Sequence, residues 1–381
     1  MKTGNKILIR LCFLILLGMN IITCKAWGYD EYLEGTGTTT PISISKELKL
    51  SGVVTTFAGT TGTMGATNGI GLAASFWNID GITSDGTNLY IVDYSNNSLR
   101  QAAIATATVS TLAGNCFLSS AFGSADGTGC LASFTNPSGI TTDGTNLYVA
   151  DMANQTIRKV VIASGAVTTL AGSAGLTGSA DGTGSAARFN FPTGITIDGT
   201  NLYVADMGNQ TIRKVVISSG AVTTLAGSAG LTGSADGTGS AARFWNPSGI
   251  TTDGTNLYLT DYSNGTLRKI VIASGVVTTL VGTAGTAGSA DGTGPAASFS
   301  GPNGITTDGI NLYVADKLNS TIRKVVISSG AVTTLAGSAG LTGSVDGTGL
   351  AARFFNPNGI TTDGVSLFVT DTGNFTIRKI Q

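Results

Sequence analysis

The residues in this chain that could do chemistry are few and narrow in type. None of the 381 residues is a histidine, which excludes an imidazole general base and a histidine-bound zinc. Glutamate occurs only at Glu31, Glu34 and Glu47, and from residue 51 onward 18 aspartates face 15 lysines and arginines. Seventeen of those aspartates fall in three recurring columns. Asp85, Asp143, Asp198, Asp253, Asp308 and Asp363 each precede a glycine, where a short carboxylate caps a turn by accepting backbone N–H groups. Asp93, Asp151, Asp206, Asp261, Asp316 and Asp371 each stand three residues before an asparagine, again a side-chain-stabilised turn. Asp126, Asp181, Asp236, Asp291 and Asp346 sit in DGTG. That motif lacks the alternating oxygen ligands and terminal bidentate acid of an EF-hand calcium loop, and no GK[ST] completes a phosphate cradle. A carboxylate present in every unit reads as a builder of the unit. No catalytic residue, metal or cofactor is assigned.

The elements that carry these columns follow from the repeat. GITSDGTNLYIVD begins at Gly81, and its variants begin at Gly139, Gly194, Gly249, Gly304 and Gly359, with steps of 58 and then 55 residues. A period near this length means supersecondary units stacked or arranged in a ring. Within residues 192–227, the segments GITI, NLYVAD, TIRKVVI and AVTTLAG are rich in β-branched and aromatic residues, and turn compositions separate them. Four strands in meander order, repeated six times, predict an all-β fold, a six-bladed β-propeller of four-stranded antiparallel blades. The last unit stops after its third strand, whereas SGVVTTFAG at 51–59 matches the fourth-strand sequence. The N-terminal strand 51–59 is therefore expected to complete the last blade and close the ring. The 17-residue connections such as 173–189 read as packed crossovers.

Residues that break the repeat are the candidates for binding. The position after the recurring Phe is Trp77, Thr135, Asn190, Trp245, Ser300 and Phe355 in blade order. It approaches the innermost strand and is expected near the axis on one face. The turn between second and third strands belongs on the same face, and its variable residue is Tyr94, Met152, Met207, Tyr262, Lys317 and Thr372. Trp77 is thereby paired with Tyr94, and Trp245 with Tyr262, in opposite blades. Exposed Trp and Tyr suit stacking on sugars or anchoring a peptide; the bland reading has the rings plug the channel mouth. Asp80 is the one propeller aspartate outside the columns, and Lys317 the one cation at no recurring position. They belong to the first and fifth blades, which are not adjacent, and each is read as a surface residue. The candidate ligand surface is Trp77, Asp80, Tyr94, Asn190, Trp245, Tyr262, Lys317 and Phe355.

The motif AARFxxPxGIxxDGxNLYVADxxNxTIRK, as it stands at 186–214, resembles the NHL-repeat β-propeller family. The resemblance covers residues 51–381. It implies the fold and leaves function open, because the family includes extracellular sensor and scaffold propellers, RNA-binding developmental regulators and a few lyases. Its lyases imply histidine chemistry, which this chain cannot supply. Its RNA binders imply a basic face, whereas the repeat region carries about −3.

Lys2, Lys6 and Arg10 precede the apolar run 11–22, too short for a transmembrane helix and suited to a signal peptide, residues 1–23. The run ends at Cys24, where lipidation is expected. Thr23 and Ile21 depart from a bacterial lipoprotein signal, and cleavage after Ala26 is the alternative. Residues 24–50 read as a flexible tether and 51–381 as the propeller. Cys116 and Cys130 flank the loop with the array's only insertion, of three residues. In an exported protein they are expected to form a disulfide, with two free thiols the alternative. The expected protein is exported, held at the outer membrane, cell surface or periplasm by a lipid anchor, or otherwise secreted. It is a non-enzymatic binding or scaffold propeller of a bacterial cell envelope, and a monomer. Its partner is a protein, peptide or glycan. It touches a membrane only through the lipid anchor, and a net charge of −1 gives no case for nucleic acid. A passive surface protein and a propeller enzyme of lyase or lactonase type are the alternatives.

Overall fold

The computed structural model describes residues 47–116 and 122–381. The signal segment, Cys24 and the tether as far as residue 46 lie outside the described residues. The rest forms six antiparallel sheets, one per blade, in a closed ring. In the third blade the strands run Pro192–Ile197 innermost, then Asn201–Asp206, Thr211–Val216 and Ala221–Gly227 outward. Along the second strand, Leu202 and Val204 face the second blade, whereas Tyr203 and Ala205 face the fourth. Both faces of each sheet are therefore buried, which is why NLYVAD reads as an almost unbroken apolar run. The core consists of six such layers, one between each pair of neighbouring blades.

Each blade has five strands where four were expected. The extra strand is only two residues long, Gly182–Thr183 in the third blade, and it pairs with Val222 and Ala221 of the fourth strand. The 173–189 connection runs down the outer edge and back, covering backbone groups that an exposed edge strand would leave open to other chains.

Closure occurs as the end sequences require. Val53–Ala58 pairs with Thr376–Ile380, Val54 opposite Ile380 and Thr55 opposite Lys379. On its outer side the same strand pairs with Gly347–Thr348. The chain docks slightly earlier than the expected boundary at 51. Leu48 is buried in the layer beside the sixth blade, its amide donates to Asp308 Oδ2 at 3.0 Å, and Glu47 pairs with Lys324 at 3.1 Å. Cys116 and Cys130 are joined in a disulfide across the inserted loop, Cα–Cα 5.3 Å.

One buried network recurs in every blade. Arg213, on the third strand, is fully buried. It donates from Nη1 to Asp206 Oδ2 at 2.7 Å and to Arg188 O at 2.8 Å. Nη2 donates to Asp181 Oδ1 at 2.8 Å and to Ala180 O at 3.1 Å, and the guanidinium lies over the Phe189 ring, 5.2 Å from its centroid. Asp206 also accepts from Asn209 Nδ2 and from the Asn190 amide, while Asp181 accepts from Thr224. The network thus ties the second, third and fourth strands to the crossover. It explains two of the three aspartate columns. In the first blade Asn68 replaces the crossover aspartate and accepts from Arg100 at 2.8 Å.

Two predictions follow from closure and charge. Deleting residues 51–59 is expected to lower the melting temperature by more than roughly 10 °C; a truncated chain that melts with the intact one would refute closure by this strand. The second concerns pH. Burial pushes the carboxyls of Asp151, Asp206, Asp316 and Asp371 up to about 6, against their arginine, asparagine and amide donors. Their share of stability is present below the unfolded value of 3.8 and is lost as pH rises through about 6. Asp198 behaves oppositely. Burial would raise it, but Asn201, Thr200 and Tyr203 outweigh burial and hold it at about 2. That share is present above 3.8 and is lost as pH falls toward about 2. Denaturant melts across pH should show maximal stability near pH 4 and a fall between about pH 4 and 6. A steady rise from pH 4 to 8 would show that pairing with arginine dominates burial.

Candidate functional site

The turn between second and third strands and the approach to the first strand share one face, as expected. The buried aspartate that ends the second strand clips them together. The Trp77 amide donates to Asp93 Oδ1 at 2.9 Å and its carbonyl accepts from the Ser95 amide at 3.1 Å. Trp245 repeats this with Asp261 and Ser263. The side chains are left open to solvent: Trp77 is 37 % exposed, Trp245 47 % and Phe355 41 %. The Phe355 ring lies on Gly373, where a Cβ would come within 2.6 Å of its Cγ. Asn190 lies on Gly208 in the same way. The half-buried Tyr262 and the exposed Leu318 both lie over Gly301 of the fifth blade. Trp77 and Tyr94, and likewise Trp245 and Tyr262, share the face without stacking. The one ring–ring contact among the described residues is Phe57 with Phe368.

Phe191 escaped the sequence reading. It adopts φ +51° in a column otherwise filled by Asn78, Asn136, Asn246, Gly301 and Asn356, which tolerate left-handed backbone. A phenylalanine there costs about 1 kcal/mol or more and stands 44 % exposed. A bulky side chain in an Asn/Gly column was the available signal.

The axis is lined by a different column from the one expected. In every blade the first strand bulges, as between Pro192 and Ile195, so that Thr193 and Gly194 lose their register with the second strand. Bulges re-aim side chains, and here the two bulged residues line the channel. Its wall is Asp80, Ser138, Thr193, Ser248, Asn303 and Asn358, each followed by a repeat glycine, around a cavity of about 300 Å³ including its mouth. None of the aromatic candidates lies in this wall. The glycines are needed because the blades converge there. A Cβ on Gly194 would collide with Ser248 O of the next blade, and a Cβ on Gly359 with Asp80 O across the closure.

Asp80 is therefore a channel residue, which corrects its reading as surface. Its Oδ2 accepts from Ser138 Oγ at 2.7 Å and its Oδ1 from Asn358 Nδ2 at 2.6 Å. Burial raises its pKa, while the Lys317 ammonium and the Ser138 hydroxyl pull it back. Tyr94 is raised by burial and then by the Asp80 charge. The first and fifth blades are not adjacent, yet the Lys317 charge acts on the Asp80 carboxyl.

No family model matches the chain. Among curated proteins, the chain is 32 % identical over 260 residues to SUPPRESSOR OF QUENCHING 1 of Arabidopsis thaliana, covering 64 % of this chain and 24 % of that one. It is 29 % identical over 297 residues to human NHL repeat-containing protein 2, covering 68 % and 40 %. The chain thus spans well under half the length of these relatives. Among solved structures, an auxiliary nutrient binding protein from Bacteroides thetaiotaomicron superposes with a TM-score of 0.65 at 17 % identity, over 86 % of this chain and 76 % of that one.

The glycine ring yields a test. Gly194→Ala should destabilise the chain by about 3 kcal/mol, whereas Gly199→Ala in an open turn, where a Cβ meets nothing within 4 Å, should cost only the strain of its positive φ. Equal denaturation midpoints for the two variants would contradict the convergence of blades at the axis.

Proposed function

The chain belongs to the NHL-repeat propeller family, and on that premise we propose that it is a binding or scaffold propeller of a bacterial cell envelope, engaging a protein, peptide or glycan on its aromatic face. The observation that carries this reading is the set of exposed rings on one face of a rigid scaffold: Trp77, Phe191, Trp245 and Phe355. Large, stiff side chains give contact area at low entropic cost, and the blade interfaces hold them in fixed positions. A scattered apolar side chain needs no explanation, but four rings on one face, one of them at a strained backbone position, do. The solved structure named an auxiliary nutrient binding protein supports the same reading, since it places binding on this fold.

The entry point of the chain supports a tether. Leu48 is held by Asp308, in a turn between first and second strands, at the end of the blade opposite the aromatic face. An export signal at 1–23 and a lipid on Cys24 would then hold the propeller to a membrane by residues 25–46, with its rings directed away from the point of attachment. Enzyme readings receive no such support, because the histidine of the family's lyases has no counterpart in this sequence.

The test is binding of the chain to an array of glycans, envelope polymers and extracellular host proteins, beside the Trp77→Ala, Trp245→Ala double variant. A ligand bound by the parent and weakened at least about tenfold in an equally stable double variant is expected, a loss of about 1.4 kcal/mol or more. No bound member, or equal binding by both chains, would overturn the reading.

A further inference from the structure

The two charges that break the repeat act on each other at the channel mouth, and neither has an ion-pair partner within contact distance among the described residues. The Asp80 carboxylate accepts one hydrogen bond on each oxygen, from Asn358 and Ser138, about half of what it can accept. Asn358, beside it in the channel wall, is only 6 % exposed, and its Oδ1 has no hydrogen-bond partner. A buried amide oxygen without a donor is costly unless something fills the place. Lys317 is half-buried, and among the described residues its ammonium makes no hydrogen bond and no ion pair. Its column reaches toward the first strand of the next blade: Thr372 Oγ1 donates to Ile79 O at 2.6 Å, and Tyr262 lies over Gly301. The same reach from the fifth blade carries Lys317 toward Asn356 and Pro357, which lead directly into Asn358 of the channel wall. The pull of Lys317 on the Asp80 carboxyl agrees with this placement.

We propose that the channel mouth binds the zwitterionic head of a free α-amino acid, with its ammonium on Asp80 Oδ and Asn358 Oδ1 and its carboxylate on Lys317. The inference rests on the reading of this face as the ligand-binding one and names a ligand for its axial end. An ammonium brings three donors to acceptors that lack them, and the carboxylate meets an unpaired cation. Both contacts are charge-assisted and made by half-buried groups, where such bonds are stronger than in open water. The ligand is neutral overall, matching a mouth whose own two charges cancel. Its side chain would leave along the axis toward Tyr94 and Tyr262. A simple metal ion fits less well, because Lys317 would repel it.

Calorimetric titration of the full chain tests this with glycine, L-leucine and L-phenylalanine, each also as its N-acetyl and its amide derivative, and with calcium chloride. At least one free amino acid is expected to bind. Blocking either end of it should weaken binding about tenfold or more, as should Asp80→Asn and Lys317→Met separately, with unchanged melting. Absence of heat for all three amino acids would overturn the proposal. So would blocked forms binding as well as free ones, or calcium binding that tightens in Lys317→Met. If the amino acids fail while an array ligand still depends on Trp77 and Trp245, the inference falls and the binding function stands. If an amino acid binds as described and no array member does, the inference stands without a polymeric partner.

Discussion

Six buried arginines hold this molecule in shape. Each guanidinium sits over a phenylalanine ring, 5.0 to 5.3 Å from its centroid. Each donates to the aspartate that ends the second strand and to carbonyls of the crossover, as Arg213 does. Removing one member of such a group would strand a charge in the interior at about 3–5 kcal/mol. The fixed geometry of the guanidinium fork matters as much as its energy. It sets where the crossover ends, and so where the next residue, Trp77 or Trp245, emerges. The same aspartate accepts from the amide of that residue. The exposed rings are thus positioned by the most deeply buried charge in their blade.

Repetition and function divide along this line. Everything the blades share serves the blade: turn-capping aspartates, buried pairs, ring glycines and alternating apolar faces. Apart from the crossovers, much of what differs between blades collects at one end, in the columns of Trp77, Asn78 and Tyr94, and in the channel column of Asp80. Because the sheets are rigid and nearly equivalent, a substitution in these columns changes the surface without disturbing the frame. This explains how so regular a sequence can carry an asymmetric face.

The strand pattern, blade count and closing strand were legible because each rests on periodicity repeated six times. The fifth strand was not, since two residues of Gly-Thr carry no pattern and their pairing depends on where the crossover folds back. The place of Asp80 in the channel wall was hidden for a related reason. Its column reads Asp, Ser, Thr, Ser, Asn and Asn, which by composition is a solvent-facing column. Only the bulge in the first strand turns it to the axis, and no residue type announces that bulge except the glycine beside it. The reach of Lys317 across to Asp80 was likewise hidden, because adjacency in a ring of blades does not measure distance near its centre.

The closing strand also makes this fold a matter of timing. Ala58 and Thr376 are 318 positions apart, and synthesis at about 5–20 residues per second separates their appearance by roughly 15–65 s. For that interval Val53–Ala58 exists without its partner, a ready template for the edge of any other chain. Five blades can mature in order of emergence, but the sixth waits for Thr376–Ile380. A product arrested before Thr376 would leave that strand without its inner neighbour, so one short strand decides whether the blades made before it become a durable ring or a substrate for degradation.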